Sequence, residues 1–130
     1  MTLPTYKDYT VPGISSGAGF SLYNSSSTWT FDQDITATTG TAGVYGSADW
    51  NGNTLVVNQA ISHPSQYGIW LEGAQNTVKI GKFGYVTGGS GIGVYMAGDH
   101  SELINDGVIA GDDGSIEITT PDSTMVFEKT

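Results

Sequence analysis

Apolar and polar residues alternate in short stretches along this chain, and each stretch is bounded by Gly, Asn, Asp or Ser. Alternation with a period of two is typical of a β-strand that buries one face. No window of a dozen residues carries the i, i+3, i+4, i+7 spacing of an amphipathic helix. The pattern therefore predicts an all-β protein.

The apolar stretches recur at a nearly constant interval. Glycines that open similar stretches stand 24 or 25 residues apart, at Gly19, Gly43, Gly68 and Gly93. A degenerate fifth copy covers 115–118, and further short apolar patches follow the copies. Three strands per repeat at this interval are typical of a chain that climbs one strand spacing per turn. The sequence therefore predicts a parallel β-helix, or β-solenoid, of about five coils with three short strands per coil.

An antiparallel β-sandwich is the alternative fold. It accounts equally well for the alternation, but it does not explain the fixed register of Gly43, Gly68 and Gly93. In a solenoid, glycines at the corners would supply the positive φ that a sharp turn needs. The corner glycines predicted for this role are Gly73, Gly84, Gly88, Gly98, Gly107 and Gly111.

The length of 130 residues is that of one domain. We predict an extended N-terminal arm or cap over residues 1–13 and a single β-solenoid domain over residues 14–130. Two apolar segments are candidates for the assembly ends of this domain. They hold Tyr6, Tyr9 and Val11 on the N-terminal side and Met125, Val126 and Phe127 on the C-terminal side.

Alternation also assigns the two faces of the strands, because successive side chains of a strand point in opposite directions. It turns Tyr45, Trp70 and Tyr95 outward at equivalent positions of successive coils, with Ser21 below them and Glu117 above. The three rings would then form one strip. Such a strip is either a contact platform for another protein or for sugar rings, or a ladder that stabilises the sheet.

The segment from 67 to 114 contains short motifs of Gly, Asn and β-branched residues. They are Gly68-Ile69-Trp70-Leu71-Glu72-Gly73, Asn76-Thr77-Val78, Gly93-Val94-Tyr95-Met96 and Asn105-Asp106-Gly107-Val108-Ile109-Ala110-Gly111. The segment resembles the parallel β-helix repeats of secreted Gram-negative surface proteins, namely autotransporter passengers and RTX-like adhesins. The resemblance covers about two of the predicted coils well and implies an extracellular protein of a bacterial surface or matrix. Gly111-Asp112-Asp113-Gly114 has the composition of the RTX calcium repeat without its periodicity, so the resemblance implies no calcium site.

Charge and cysteine content exclude several classes of function. The chain has 4 lysines, no arginine and 13 acidic residues, which gives a net charge of −9. Such a surface repels phosphate backbones and anionic lipids, so neither nucleic acid nor a membrane is predicted as a partner. Because the chain has no cysteine, disulfides and thiolate metal sites are excluded. No apolar run is long enough for membrane insertion. The first residues lack a signal-peptide pattern, and this absence is compatible with the type I secretion that the resemblance implies.

Carboxylates are concentrated in the last two predicted coils. They are Asp99, Glu102, Asp106, Asp112 and Asp113. We interpret them as turn residues that also add charge for solubility, with Ca²⁺ ligation by Asp99, Asp106, Asp112 and Asp113 as an alternative. No other cofactor is predicted. His63 and His100 stand near no recognisable nucleophile motif and are predicted to be surface residues.

The predicted function is structural. A solenoid has an open strand edge at each end, and a bare edge can continue its sheet into a second subunit to form a filament. We predict a non-enzymatic extracellular protein that assembles end to end with copies of itself into filaments or a surface layer. The alternatives are an adhesive or polysaccharide-binding module that uses the aromatic strip, and a glycan-active enzyme in which Asp112 and Asp113 act.

Overall fold

A computed structural model describes residues 7–118 and 123–127. All regular structure in these residues is β-strand. The strands are β1 (Asp8–Thr10), β2 (Phe20–Ser21), β3 (Thr28–Phe31), β4 (Ile35–Thr36), β5 (Ala42–Gly46), β6 (Thr54–Val57), β7 (Ala60–Ser62), β8 (Tyr67–Leu71), β9 (Thr77–Ile80), β10 (Tyr85–Thr87), β11 (Ile92–Met96), β12 (Glu102–Asn105), β13 (Val108–Ala110), β14 (Gly114–Ile118) and β15 (Thr124–Phe127).

The strands form three parallel sheets. Sheet A has the order β1-β3-β6-β9-β12-β15, sheet B the order β4-β7-β10-β13, and sheet C the order β2-β5-β8-β11-β14. Each strand pairs with its equivalent one coil later, as in the registers β5 with β8 and β8 with β11. The predicted all-β parallel solenoid with three strands per coil is confirmed, and the antiparallel sandwich is excluded.

The number of coils is smaller than predicted. Four coils contain a strand in every sheet, beginning at β2, β5, β8 and β11. Strand β1 lies below them, and β14 and β15 lie above. The degenerate copy at 115–118 does form β14, but no described residue adds a fifth strand to sheet B. The expectation of about five coils is therefore wrong by about one.

The core is a column of fully buried apolar side chains from all three sheets. Sheet A contributes Trp29, Leu55, Val78 and Leu103, which stack in register. Sheet C contributes Val44, Ile69 and Val94, and sheet B contributes Ile61 and Val86. Since every coil adds equivalent side chains at about 4.8 Å spacing, the outward side chains are aligned just as strictly, and this alignment positions the candidate site.

The recurring glycines Gly43, Gly68 and Gly93 lie where sheet C packs directly against sheet B. A methyl group on Gly68 would come within 2.6 Å of both the Val86 Cγ1 atom and the Gly93 carbonyl oxygen. A methyl on Gly43 would lie 2.8 Å from Ile61 Cγ2. None of the three glycines has a φ in the left-handed region. Close packing therefore explains the fixed register from which the repeat was recognised.

The corner glycines are required for a different reason from the one predicted. None of Gly73, Gly84, Gly88, Gly98, Gly107 and Gly111 has a positive φ. At five of them a methyl group would meet the backbone of a neighbouring coil, as on Gly98, where it would lie 1.9 Å from the Gly73 carbonyl oxygen. On Gly88 it would meet the backbone of Ile92 in the same corner.

Left-handed residues occupy another corner, between sheets C and A. They are Ser26, Gly52, Gln75 and His100, with φ between 55° and 69°. The residue after each of them turns inward, and these inward residues form a buried polar column, namely Ser27, Asn53, Asn76 and Ser101. This column joins the coils by hydrogen bonds, because the Asn53 N–H donates to Asn76 Oδ1 at 2.8 Å and the Ser27 N–H donates to Asn53 Oδ1 at 3.1 Å.

Candidate functional site: an aromatic surface on sheet C

Three aromatic rings are aligned on the outer face of sheet C. Tyr45 is paired in register with Trp70, and Trp70 with Tyr95. Ser21 is the partner of Tyr45 in the coil below, and Glu117 is the partner of Tyr95 above. The residues on both sides of Trp70, Ile69 and Leu71, are fully buried, so the alternation fixes the outward direction of this ring. The strip therefore has the order that the sequence predicts.

A fourth aromatic residue, Tyr67, enlarges the strip to a surface of four rings. The sequence analysis missed this residue. Its ring centroid lies 5.0 Å from that of Trp70 and 5.4 Å from that of Tyr95. Trp70 also lies 5.0 Å from Tyr45 and 6.3 Å from Tyr95. All four side chains are half-buried. We call Tyr45, Tyr67, Trp70 and Tyr95 the aromatic surface.

A carboxylate fixes one edge of the aromatic surface. The hydroxyl of Tyr45 donates a hydrogen bond to Glu72 Oε2. Glu72 follows β8 directly, and its backbone N–H donates to the Gly46 carbonyl at 2.8 Å, which holds the residue one coil above Tyr45. Like Tyr67, Glu72 was not predicted as a site residue, because its position beside Tyr45 depends on the path of the chain after the strand.

The same contact raises the pKa of the Tyr45 hydroxyl above its ordinary value of 10.0. The main cause is the hydrogen bond to Glu72, followed by burial and by the negative charges of Glu72 and Asp49. A raised pKa in the folded state means that the folded protein holds this proton more tightly. The stabilisation is therefore present below the ordinary tyrosine pKa and is lost as the pH rises through the raised value.

The predicted N-terminal end residues lie at the lower end of the core. The Tyr9 ring stacks on the buried Trp29 ring at 4.1 Å and 13°, and Val11 is buried. Asp8–Thr10 pairs in parallel with the lower edge of β3. The interaction closes part of the core from below. Tyr6 lies outside the described residues.

Met125, Val126 and Phe127 lie on β15, which pairs with β12 at the upper end of sheet A. They are register partners of Leu103, Ile104 and Asn105. The described residues of the two predicted assembly ends thus lie on or directly beside the edge strands of sheet A, β1 below and β15 above.

The acidic residues of the last coils are spread over different corners. Asp99, Asp112 and Asp113 are exposed and lie in loops, while Asp106 is half-buried with its Oδ1 atom buried and without a hydrogen-bond partner. Within 7–118 and 123–127, no three His, Asp or Glu side chains are grouped so as to hold a metal ion. The calcium candidates thus form no such group in the part of the chain that the structure describes.

The expectation of a surface location is wrong for His63. This side chain is 3% exposed. Its Nδ1 atom accepts hydrogen bonds from the backbone N–H groups of Ser65 and Gln66, so the proton is on Nε2, which lies 2.9 Å from the Gly40 carbonyl oxygen. The hydrogen bond from Nε2 thus connects the corner at His63 to the coil below. His100 is exposed, as predicted, and occupies a left-handed corner position.

Comparisons with protein-family models, with curated proteins and with solved structures found no match for this chain. The described residues also include no helix of the length and apolar character needed to cross a membrane.

Proposed function

We propose that this protein is a non-enzymatic binding module that holds extended glycan chains on the aromatic surface of sheet C. The observation that carries the proposal is the contiguity of four half-exposed rings, aligned along the solenoid by strand register. Aromatic rings present flat apolar faces on which sugar rings stack. The spacing of the coils, about 4.8 Å, is close to the length of one pyranose ring, so successive sugars can meet successive coils.

Charge restricts the glycan class. Glu72 lies at the edge of the aromatic surface, Asp49 is close enough to act on Tyr45, and Glu117 follows Tyr95 in the same column. With a net charge of −9 over the whole chain, a polymer of uronic acids would be repelled. The proposed ligands are therefore neutral or amine-bearing polysaccharides. An extracellular surface, the location implied by the resemblance to secreted β-helix repeats, is where such polymers are met.

The test is calorimetric titration of the protein with three soluble probes: a neutral gluco-oligosaccharide, a chitosan oligosaccharide and an oligogalacturonate. We expect binding of at least one of the first two and none of the third. Trp70→Ala should weaken binding about tenfold or more, because Trp70 contacts both Tyr45 and Tyr67 at the centre of the surface. Tyr85→Ala, which removes an exposed ring from sheet B, is the matched control and should bind normally. Absence of binding to all three probes, or equal binding by Trp70→Ala, would contradict the proposal.

End-to-end assembly is a second candidate function, and the edge strands of sheet A favour it. Thr28 donates to the Lys7 carbonyl and Val11 donates to the Thr30 carbonyl, both at 2.9 Å. Since consecutive residues of a parallel strand direct their backbone groups to opposite sides, Thr10 directs its N–H and C=O away from β3. In the part of the chain that the structure describes, β1 is an edge strand, so these groups face outward and could pair with the β15 edge of another copy.

Assembly is tested by light scattering and electron microscopy over a wide range of protein concentration. We expect filaments whose mean length rises with concentration. Thr10→Pro should abolish them, because proline removes the outward N–H while leaving the hydrogen bonds of Val11 to β3 in place. Ser21→Thr, an exposed change on the side of the solenoid, should leave filament length unchanged. A monomer at every concentration, or filaments unaffected by Thr10→Pro, would remove this function.

A further inference from the structure

The outer face of sheet B is divided into an apolar upper half and a polar lower half. Tyr85 and Val108 are register partners in neighbouring coils and are 43% and 51% exposed. Beside them, the connection from β9 to β10 is two residues longer than the connections from β6 to β7 and from β12 to β13. The additional residues, Lys82 and Phe83, project from the corner, and Phe83 is 75% exposed.

The projecting loop has a defined shape. The Gly84 N–H donates to the Gly81 carbonyl at 2.8 Å and closes the turn. The Lys82 Nζ atom lies 5.3 Å from the centroid of the Phe83 ring, a distance at which an ammonium group is attracted to an aromatic face. The loop therefore presents one large apolar ring with a positive charge beside it.

The lower half of the same face contains an open groove of about 400 Å³. Its lining consists of Gly13, Ile14, Ser15, Gln33, Asp34 and Thr36. Ile14 is the bridge partner of the fully buried Ile35 and packs against the core, so small and polar residues form the outer lining of the groove. Asp34 is exposed, and one of its carboxylate oxygens accepts the Ala60 N–H at 3.0 Å. The groove thus offers open space beside the negative charge of Asp34, and this charge is complementary to Lys82 of the projecting loop.

The positions of the loop and the groove are related by an approximate symmetry. Ala60 is the register partner of Tyr85 one coil above, and Asp34 lies one coil below Ala60. Both the loop and Asp34 stand at the corner between sheets A and B. A two-fold axis parallel to β7 at the level of Ala60 would place the upper half of one sheet B over the lower half of another. The two loops would then meet the two grooves simultaneously.

We propose that two copies of this chain pair side by side in antiparallel orientation through sheet B, with the Lys82–Phe83 loop of each copy seated in the Ile14–Asp34 groove of the other. The contact is isologous and closes on itself, so it produces a dimer rather than a filament. It buries the exposed side chains of Phe83, Tyr85 and Val108 and forms two Lys82–Asp34 ion pairs. Sheet C lies on another side of the solenoid, so the aromatic surface is left accessible.

The test is sedimentation equilibrium of the full chain and of charge-reversed variants, all carrying Thr10→Pro so that end-to-end assembly does not obscure the dimer. In this background the parent protein should form a dimer, and adding Phe83→Ser should raise the dissociation constant about tenfold or more. Lys82→Glu and Asp34→Lys should each be monomeric alone, because each places like charges at both contacts. Mixed in equal amounts, they should form a heterodimer, because both contacts then join opposite charges. Asp34→Asn keeps an acceptor for the Ala60 N–H and removes only the charge, so it should also weaken the dimer.

Recovery of the dimer on mixing would distinguish this arrangement from every pairing in which residues 34 and 82 do not meet. Trp70→Ala should dimerise like the parent protein, so the result is independent of glycan binding. A parent protein that is monomeric at all concentrations, dimers insensitive to Phe83→Ser, or mixed variants that stay monomeric while folded by circular dichroism would each overturn the proposal.

Discussion

Replacing Gly68 with alanine is expected to lower the free energy of unfolding by about 3 kcal/mol. The new methyl group would lie 2.6 Å from Val86 Cγ1, 2.6 Å from the Gly93 carbonyl oxygen and 3.0 Å from the Thr87 carbonyl oxygen. Two of these three atoms belong to the backbone of neighbouring strands. Relief of the contact therefore requires β8 to move away both from sheet B and from β11 of its own sheet, which opens the core of the third coil. Chemical denaturation followed by circular dichroism measures the change.

Gly81→Ala is the matched control for this substitution. A methyl group there would meet the Asn58 side-chain oxygen at 3.0 Å and the Val57 carbonyl at 3.6 Å. The first of these atoms terminates a side chain that can move, so the expected change is within about 0.5 kcal/mol. In a double-mutant cycle, Val86→Ala should offset part of the loss caused by Gly68→Ala, because it removes one of the clashing atoms. Equal stability of Gly68→Ala and Gly81→Ala would show that the two sheets are not in close contact at Gly68.

The glycine column shows how a correct fold can be predicted from a pattern without its physical cause. The interval between Gly43, Gly68 and Gly93 was sufficient to predict stacked coils. Their role in packing against Ile61, Val86 and Ile109 could not be predicted, because it depends on the angle at which two sheets meet. The same limit explains the error at the corner glycines, since a close backbone approach and a positive φ both require glycine and look identical in a sequence.

The candidate site was predictable wherever alternation alone decides the direction of a side chain. That condition holds for Tyr45, Trp70 and Tyr95, which lie within regular strands in register. Strict alternation would place Tyr67 on the same side as Ile69, but its ring contacts Trp70 and Tyr95 on the outer face. Gly68 lies between Tyr67 and Ile69, and the register pairs of β8 with both neighbouring strands skip it, so the strict alternation is interrupted there.

Surfaces formed by loops could not be predicted from the sequence pattern either. The projecting loop at Phe83 and the groove beside Asp34 lie two coils apart along the solenoid, and their relative positions depend on how the strands of sheet B stack. Likewise, Tyr9 and Val11 were assigned to an N-terminal arm or cap, but their contacts with Trp29 and Thr30 follow from the pairing of β1 with β3. Periodicity predicts what repeats, whereas these features occur once.

The buried polar column should be the second most sensitive part of the fold, with Asn76→Ala lowering the free energy of unfolding by about 3 kcal/mol. Asn76 is completely buried. Its Oδ1 accepts the Asn53 N–H, and its Nδ2 donates to the carbonyls of Gly73 at 3.1 Å and Trp50 at 3.3 Å. Alanine would leave one donor and two acceptors without these partners inside the protein, and each buried unsatisfied group costs about 1–3 kcal/mol.

Asn76→Ser should recover part of the loss. At the equivalent position one coil above, the Ser101 hydroxyl donates to the Gly98 carbonyl three residues earlier at 2.6 Å, and a serine at 76 could reach the Gly73 carbonyl in the same way. Asn58→Ala is the control for an asparagine outside the core, since its side chain is partly exposed and donates only to Asp32 at 2.7 Å. The order of stability from denaturation should be Asn58→Ala above Asn76→Ser above Asn76→Ala. If Asn76→Ala were as stable as Asn58→Ala, the hydrogen bonds of the buried polar column would not contribute to the stacking of the coils.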